Sequence, residues 1–288
     1  MISGSTRLAA LIGSPARHSL SPVILNTAFE ASGLDWVFLA FEVPEGRGAE
    51  AVAAFRTLGL AGMSVTMPHK AAVSRAVDEL TPAAAALEAV NCVFWQGDSL
   101  VGDNTDGLGF VDALRLDEGI DPSDARCVVV GAGGAGRAVA RALGETGAAD
   151  IVIVNRSRQR AEQAAAIAGA HGRVGDHGAI VEADIVVNAT PLGMGVVVAA
   201  DGSAEPLPFP PDLLRPGQVV VDLIYQPVTT PLLAAARERG ALAINGLGML
   251  IHQAAHAFRR WVGEEPPLGA MSAAALAELA RRSPSAER

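Results

Sequence analysis

Residues 127–136 read Cys127-Val-Val-Val-Gly131-Ala-Gly133-Gly134-Ala135-Gly136. A four-residue apolar run of this kind suits a short strand buried on both faces. Gly131, Gly133 and Gly136 fit the pattern G-x-G-x-x-G. The first glycine permits the tight turn, the second lets the backbone approach a pyrophosphate, and the third lets helix and strand pack closely. A helix opening at this turn offers free N–H groups and a partial positive charge to phosphates. The pattern carries weight here because a helix to about Glu145 follows, and then a second strand at Ile151–Val154. Taken alone, the motif also reads as a glycine-rich structural turn.

The residues after that second strand bear on the cofactor. An NAD site usually places Asp or Glu there to accept from the ribose 2′-hydroxyl. This chain has Asn155, Arg156, Arg158 and Arg160, with no carboxylate until Glu162. Guanidinium forks suit a 2′-phosphate, so NADP is expected rather than NAD. The competing reading is a solvated charge cluster opening a helix, which the helix dipole disfavours unless an anion joins it.

Working outward, short apolar runs alternate with helix-length segments, the pattern of an α/β protein. Strands are expected at Leu8–Ile12, Trp36–Val43, Gly62–Thr66, Ala89–Trp95, Asp184–Asn188 and Gln218–Asp222. Ser21 and Pro22 read as N-cap and first residue of a helix ending near Ser32. Further helices are expected at 45–58, from Pro82, at 106–118, 246–261 and 272–282. Gly195–Pro211 reads as a loop, and the last six residues as frayed. No repeat of 20–50 residues is visible.

The chain has 288 residues, a prior for two domains at about 150 residues each. Half is apolar and only 4% aromatic, so alanine and aliphatic side chains are expected to do most of the packing. A net charge of −9 argues against nucleic acid. No apolar run approaches the roughly 20 residues of a membrane span, and the N-terminus does not read as a secretory signal. Cys92 and Cys127 form no disulfide framework or metal spacing, so a reduced cytoplasmic setting is expected. His252 and His256 are i, i+4 without an HExxH glutamate, and no metal is expected. Of 22 basic residues, 21 are Arg and one is Lys, Lys70. Composition alone favours a leftover surface lysine. The other reading is a site that needs a compact amine able to lose its proton.

Six polar segments in small, apolar surroundings complete the picture: His18-Ser-Leu-Ser-Pro22, Ser64-Val-Thr-Met-Pro-His-Lys70, Ala89-Val-Asn91, Gly102-Asp-Asn-Thr-Asp-Gly107, Asp222-Leu-Ile-Tyr225 and Asn245-Gly-Leu-Gly-Met-Leu-Ile-His-Gln253. With the glycine turn and the arginines, this series resembles the shikimate dehydrogenase family, in order and at family spacing from about Leu8 to Phe258. The resemblance implies an α/β substrate-binding domain over 1–105, with C-terminal helices of 250–288 packing back on it. It also implies a Rossmann-type NADP-binding domain with a parallel sheet over 106–249. Lys70 and Asp106 would form the catalytic pair. Ser19 and Ser21 would bind the substrate carboxylate, with Tyr225 near it, and Thr66, Asn91, Asp106 and Gln253 would contact ring hydroxyls. Gly131, Gly133, Gly134, Ala135 and Gly136 would cradle the pyrophosphate. Asn155, Arg156 and Arg160 would take the adenosine phosphate, and Thr190, Gly246 and Met249 the nicotinamide half.

The implied reaction is reversible, NADPH-dependent reduction of 3-dehydroshikimate to shikimate, on the route to chorismate and the aromatic amino acids. The implied partner is a small molecule, and the oligomeric state is left as monomer or homodimer. Quinate or aminoshikimate dehydrogenase of the same fold, and a non-catalytic NADP-binding regulator, stay as alternatives. Two positions depart from the family pattern. Ser64 stands where Asn is usual, shortening or losing one substrate-side hydrogen bond, and Asn245 stands where Asp is usual. Singly, each residue has a structural reading: Ser21 as a cap, Ser19, Asn104 and Thr105 as turn or cap residues, Asp106 as a helix-start charge, Cys92 as core, His69 as packing.

Overall fold

The computed structural model describes residues 2–194 and 207–282. The chain divides into two compact units, after Gly109 and again after Met249. The first unit gathers the chain up to Gly109 and the stretch from Leu250 onward; the second is Phe110–Met249.

The first unit begins β1 (Arg7–Gly13), α1 (Ser21–Ala31), β2 (Trp36–Glu42), α2 (Gly48–Leu58), β3 (Gly62–Val65), α3 (Lys70–Ser74), β4 (Glu79–Leu80), α4 (Pro82–Leu87), β5 (Cys92–Gln96), β6 (Ser99–Asp103) and α5 (Asp106–Asp112). Its sheet has the order β2-β1-β3-β5-β6-β4. β1 pairs parallel with β2 and β3, whereas β5 runs antiparallel to both β3 and β6. One face packs Ala10, Ile12, Val52, Phe55, Met63, Val65, Val73 and Leu100 into a buried cluster. The helix start at Ser21 differs from the expected one: Leu20 is the cap and Ser21 already helical. Leu20 brings no capping side chain, and Ser21 gives its N–H to Ser19 Oγ two residues earlier.

The second unit holds β7 (Arg126–Val130), α6 (Gly134–Glu145), β8 (Asp150–Val154), α7 (Arg158–Ile167), β9 (Gly172–Val174), β10 (Ile185–Asn188), β11 (Val219–Asp222), α8 (Pro231–Glu238) and β12 (Leu242–Asn245). The order β12-β11-β10-β7-β8-β9 is parallel throughout. Its core is chiefly alanine and valine in both of the buried clusters that cover the sheet. The chain then runs through α9 (Leu247–Val262) and α10 (Leu268–Arg282).

Aliphatic packing therefore describes the second unit well. The first departs from it, since all three tryptophans lie there. Phe29 stacks on Phe258 and Phe38 on Trp261, which seats α9 against the sheet. Trp261 Nε1 donates to the Val93 carbonyl at 3.0 Å, the partner a buried indole N–H requires. The expected loop over 195–211 lies mostly outside the described residues, as do the last six residues.

Candidate active site

The first unit carries a polar cluster built from four separated segments. Lys70 opens α3 just after the cis Met67–Pro68 bond. Its Nζ donates to Asp106 Oδ2 at 2.5 Å, with the two side chains 22% and 10% exposed. The lone lysine is therefore not a surface remnant. Asp106 is held from two further directions. Asn91 Nδ2 donates to its Oδ1 at 2.7 Å, and its backbone N–H donates to Asn104 Oδ1 at 3.2 Å. Asn104 in turn donates to the Ala89 carbonyl, tying the turn to the start of the neighbouring segment.

Asn91 is the hub. Its Oδ1 accepts the Thr105 N–H at 2.8 Å, and its Nδ2 faces Thr105 Oγ1, Asp106 Oδ1 and Gln253 Oε1 at 3.0, 2.7 and 3.4 Å. An amide nitrogen has two hydrogens, so three acceptors compete for them and the long contact to Gln253 is the weakest. Thr105 is fully buried and also donates to the Gln253 carbonyl. The turn reading of Asn104 holds, but Thr105 does more than cap: it joins α5 to α9. Its burial could not be read from a sequence in which Asn-Thr-Asp looks like a solvated turn.

Ser19 and Ser21 lie together, their hydroxyl oxygens 3.1 Å apart. Thr66 follows β3 directly. Ser64 is two residues earlier and buried, which puts it on the Thr66 face of the strand by alternation. His69 turns away from this chemistry: its buried ring meets the Val43 carbonyl at 2.8 Å through Nε2, a packing role. Cys92 is buried core, and burial pushes its thiol well up from the usual range.

In the second unit the glycine turn has the form a phosphate cradle needs. Gly131 sits at φ +107°, a conformation that favours glycine. A Cβ on Gly136 would stand 2.0 Å from the Gly131 carbonyl oxygen, whereas one on Gly133 or Gly134 would meet nothing within 4 Å. The turn is thus closed on its packing side and open on the other. No side chain caps α6, so its first N–H groups are left for a ligand. Asn155 Oδ1 accepts the Ala132 N–H at 3.2 Å and its Nδ2 donates to the Ser157 carbonyl, bracing the turn. Arg158 pairs with Glu162. Among the described residues, neither Arg156 nor Arg160 has a carboxylate within salt-bridge distance, and both are exposed. Arg137, on the first turn of α6, was not evident as a site residue in the sequence. Its Nε is buried with no hydrogen-bond partner among the described residues. Unpaired guanidinium groups and an open glycine cradle fit an anionic dinucleotide carrying an extra phosphate.

At the ends of β10 and β11, Thr190 Oγ1 donates to Asn188 Oδ1 at 2.7 Å, and Asn188 Nδ2 donates to Asp222 Oδ1 at 3.0 Å. Thr230 donates to Asp222 Oδ2 at 2.6 Å. Burial pushes the Asp222 carboxyl up, and these donors oppose that. The network fixes the segments bearing Thr190 and the half-buried Tyr225. Gly246 links β12 to α9, and Met249 packs against the aliphatic core. Asn245 has structural work: its Nδ2 donates to Val228 O and its Oδ1 accepts the Leu247 N–H. Among the described residues no His, Cys, Asp and Glu cluster could hold a metal, and no helix is long and apolar enough to cross a membrane.

Fold and site define a dinucleotide-binding α/β protein whose first unit holds a largely buried ammonium–carboxylate pair. Comparison with known proteins narrows this class. Residues 11–93 match the shikimate dehydrogenase substrate binding domain, 115–205 the shikimate / quinate 5-dehydrogenase model, and 246–276 the shikimate 5′-dehydrogenase C-terminal domain. The NADP(+) shikimate dehydrogenase of Moorella thermoacetica is 46% identical over 280 residues, 94% of this chain and 92% of that protein. A Thermus thermophilus shikimate 5-dehydrogenase solved with NADP(H) and shikimate has a TM-score of 0.85 at 35% identity, covering 94% of this chain and 99% of that one. A Corynebacterium glutamicum quinate dehydrogenase with NAD scores 0.82 at 32% identity, covering 94% and 99%. The chain belongs to the shikimate dehydrogenase family.

Proposed function

We propose that the chain is an NADP-dependent shikimate dehydrogenase, reducing 3-dehydroshikimate to shikimate on the route to chorismate and the aromatic amino acids. The observation that carries this reading is the Lys70–Asp106 pair inside the Asn91–Thr105–Gln253 network. In this reading the first unit binds substrate and the second binds cofactor.

Bound NADPH would supply the hydride for the carbonyl carbon. Lys70 gives a proton to the carbonyl oxygen, and takes it back when the alcohol is oxidised. An ammonium has three donors in all; Asp106 occupies one, which leaves donors to aim at the substrate oxygen. Asp106, fixed by Asn91 and Asn104, orients the amine and offers its carboxylate to a neighbouring hydroxyl. Ser19 and Ser21 take the carboxylate, with Tyr225 near it, and Thr66 and Asn91 take ring hydroxyls. Gln253 joins them, since its weak 3.4 Å contact with Asn91 is the easiest to exchange. Gly131, Gly133, Gly134, Ala135 and Gly136 hold the pyrophosphate. Asn155, Arg156 and Arg160 hold the 2′-phosphate end, and Thr190, Gly246 and Met249 the nicotinamide end. Two buried, free cysteines suit a reducing cytoplasm, where the enzyme would act as a monomer or homodimer.

A steady-state assay of shikimate or quinate with NADP⁺ or NAD⁺, followed by reduced-nicotinamide absorbance, tests the reading. Turnover is expected with shikimate and NADP⁺. Turnover with quinate and NAD⁺ alone would overturn both substrate and cofactor, and no turnover in any combination would favour a binding-only regulator.

A further inference from the structure

We infer that Arg282, the last described residue of α10, is a positioning residue for the serine turn that takes the substrate carboxylate. This rests on the function proposed above. The His18 carbonyl lies in the turn just before α1, two residues ahead of its cap Leu20. Arg282 Nη1 donates to it at 2.6 Å across 264 residues of chain. The guanidinium is itself fixed: its Nε donates to Glu278 Oε1 at 2.7 Å, and Glu278 is 11% exposed and also takes Arg281. Behind them, Met271, Ala275 and Leu279 form the buried stripe of α10, which packs on α1.

What Arg282 holds is the peptide that leads directly into Ser19. Ser19 donates its N–H to the Ala16 carbonyl, and its Oγ receives the Ser21 N–H. Two hydroxyls can grip one carboxylate only if this turn stays in place before the substrate arrives. A cation bonded to the preceding peptide also favours an anion there. The function is therefore completed by a side chain from the far end of the chain.

The test compares R282M, which keeps the apolar stem and drops the donors, with R282K and with R281A as a control on the exposed neighbour. R282M should raise KM for shikimate about tenfold or more, the scale of a charge-assisted hydrogen bond. Its kcat and its KM for NADP⁺ should stay within about twofold. R282K, which restores a charged donor, should recover most of the loss, and R281A should behave as wild type. An unchanged KM for shikimate in R282M would overturn the inference. So would equal rises in both KM values with no recovery in R282K, which signals general loss of structure. Failure of the underlying function is seen separately, as absence of turnover in the unsubstituted enzyme, and would overturn this inference with it.

Discussion

Lys70 concentrates the chemistry of the molecule in one atom. Its amine meets a carboxylate at 2.5 Å, and that carboxylate is itself held by an amide and a backbone turn. Arg in its place would keep the charge and could grip Asp106 with two donors, but it cannot give up a proton. K70R should therefore fold normally and lose about 10²–10⁴-fold in kcat. Circular dichroism and steady-state kinetics check this; near-wild-type kcat would leave Lys70 only a placing role. The residue type at position 70 was conspicuous in the sequence against 21 arginines. Its partner was not conspicuous, because an aspartate opening a helix is stabilising without any function. The family resemblance groups positions 70, 91, 106 and 253, and the fold adds Thr105, bonded to both Asn91 and Gln253.

At the scale of the element, the glycine turn and the segment after β8 select the cofactor. Replacing Arg156 and Arg160 together with alanine should raise KM for NADP⁺ by about tenfold or more while leaving any NAD⁺ rate unchanged, since only the former carries the phosphate they would grip. Equal effects on both cofactors would argue for a general loss of the site. This part of the fold was the easiest to read. β7, β8, β10 and β11 are unalternated apolar runs, the mark of a sheet covered on both faces. The first unit was harder. β6 is Ser-Leu-Val-Gly-Asp, poor in strand formers, and it exists because β5 and β4 flank it on either side. The strand expected at Ala89–Trp95 begins only at Cys92, since Glu88 takes a left-handed turn and the Val90 N–H goes to Lys70. Short α3 and two-residue β4 carry too little pattern to be seen at all. Pairing with flanking strands, rather than intrinsic propensity, made β4 and β6.

Across the whole molecule, the first unit is assembled from both ends of the chain, so its stability depends on the last helices. Trp261 is 7% exposed, stacks on Phe38 and donates to Val93. W261A should cost about 3–5 kcal/mol, measured by denaturant unfolding; a loss under about 1 kcal/mol would mean α9 is seated by other contacts. The Glu278 carboxyl is held down to about 2, from an ordinary 4.5, by hydrogen bonds from Arg281 and Arg282. A carboxyl with a depressed folded value stabilises the fold fully above its ordinary pKa and loses that contribution as pH falls through the depressed one. Thermal melts should therefore show a component lost between about pH 4.5 and 2 that E278Q lacks. A wild type and an E278Q that lose stability in parallel over this window would refute it.

A chain with one lysine also has one side-chain amine to modify. Reagents that acylate amines have, apart from the N-terminus, a single target, and it is the group proposed to move the proton. Incorporation of label at Lys70 and loss of activity should rise together, and bound substrate should slow both. A protease that cuts only after lysine has one bond to find, Lys70–Ala71, at the mouth of α3. The same scarcity that leaves the surface to arginine makes the reactive centre addressable by ordinary protein chemistry, without any substitution.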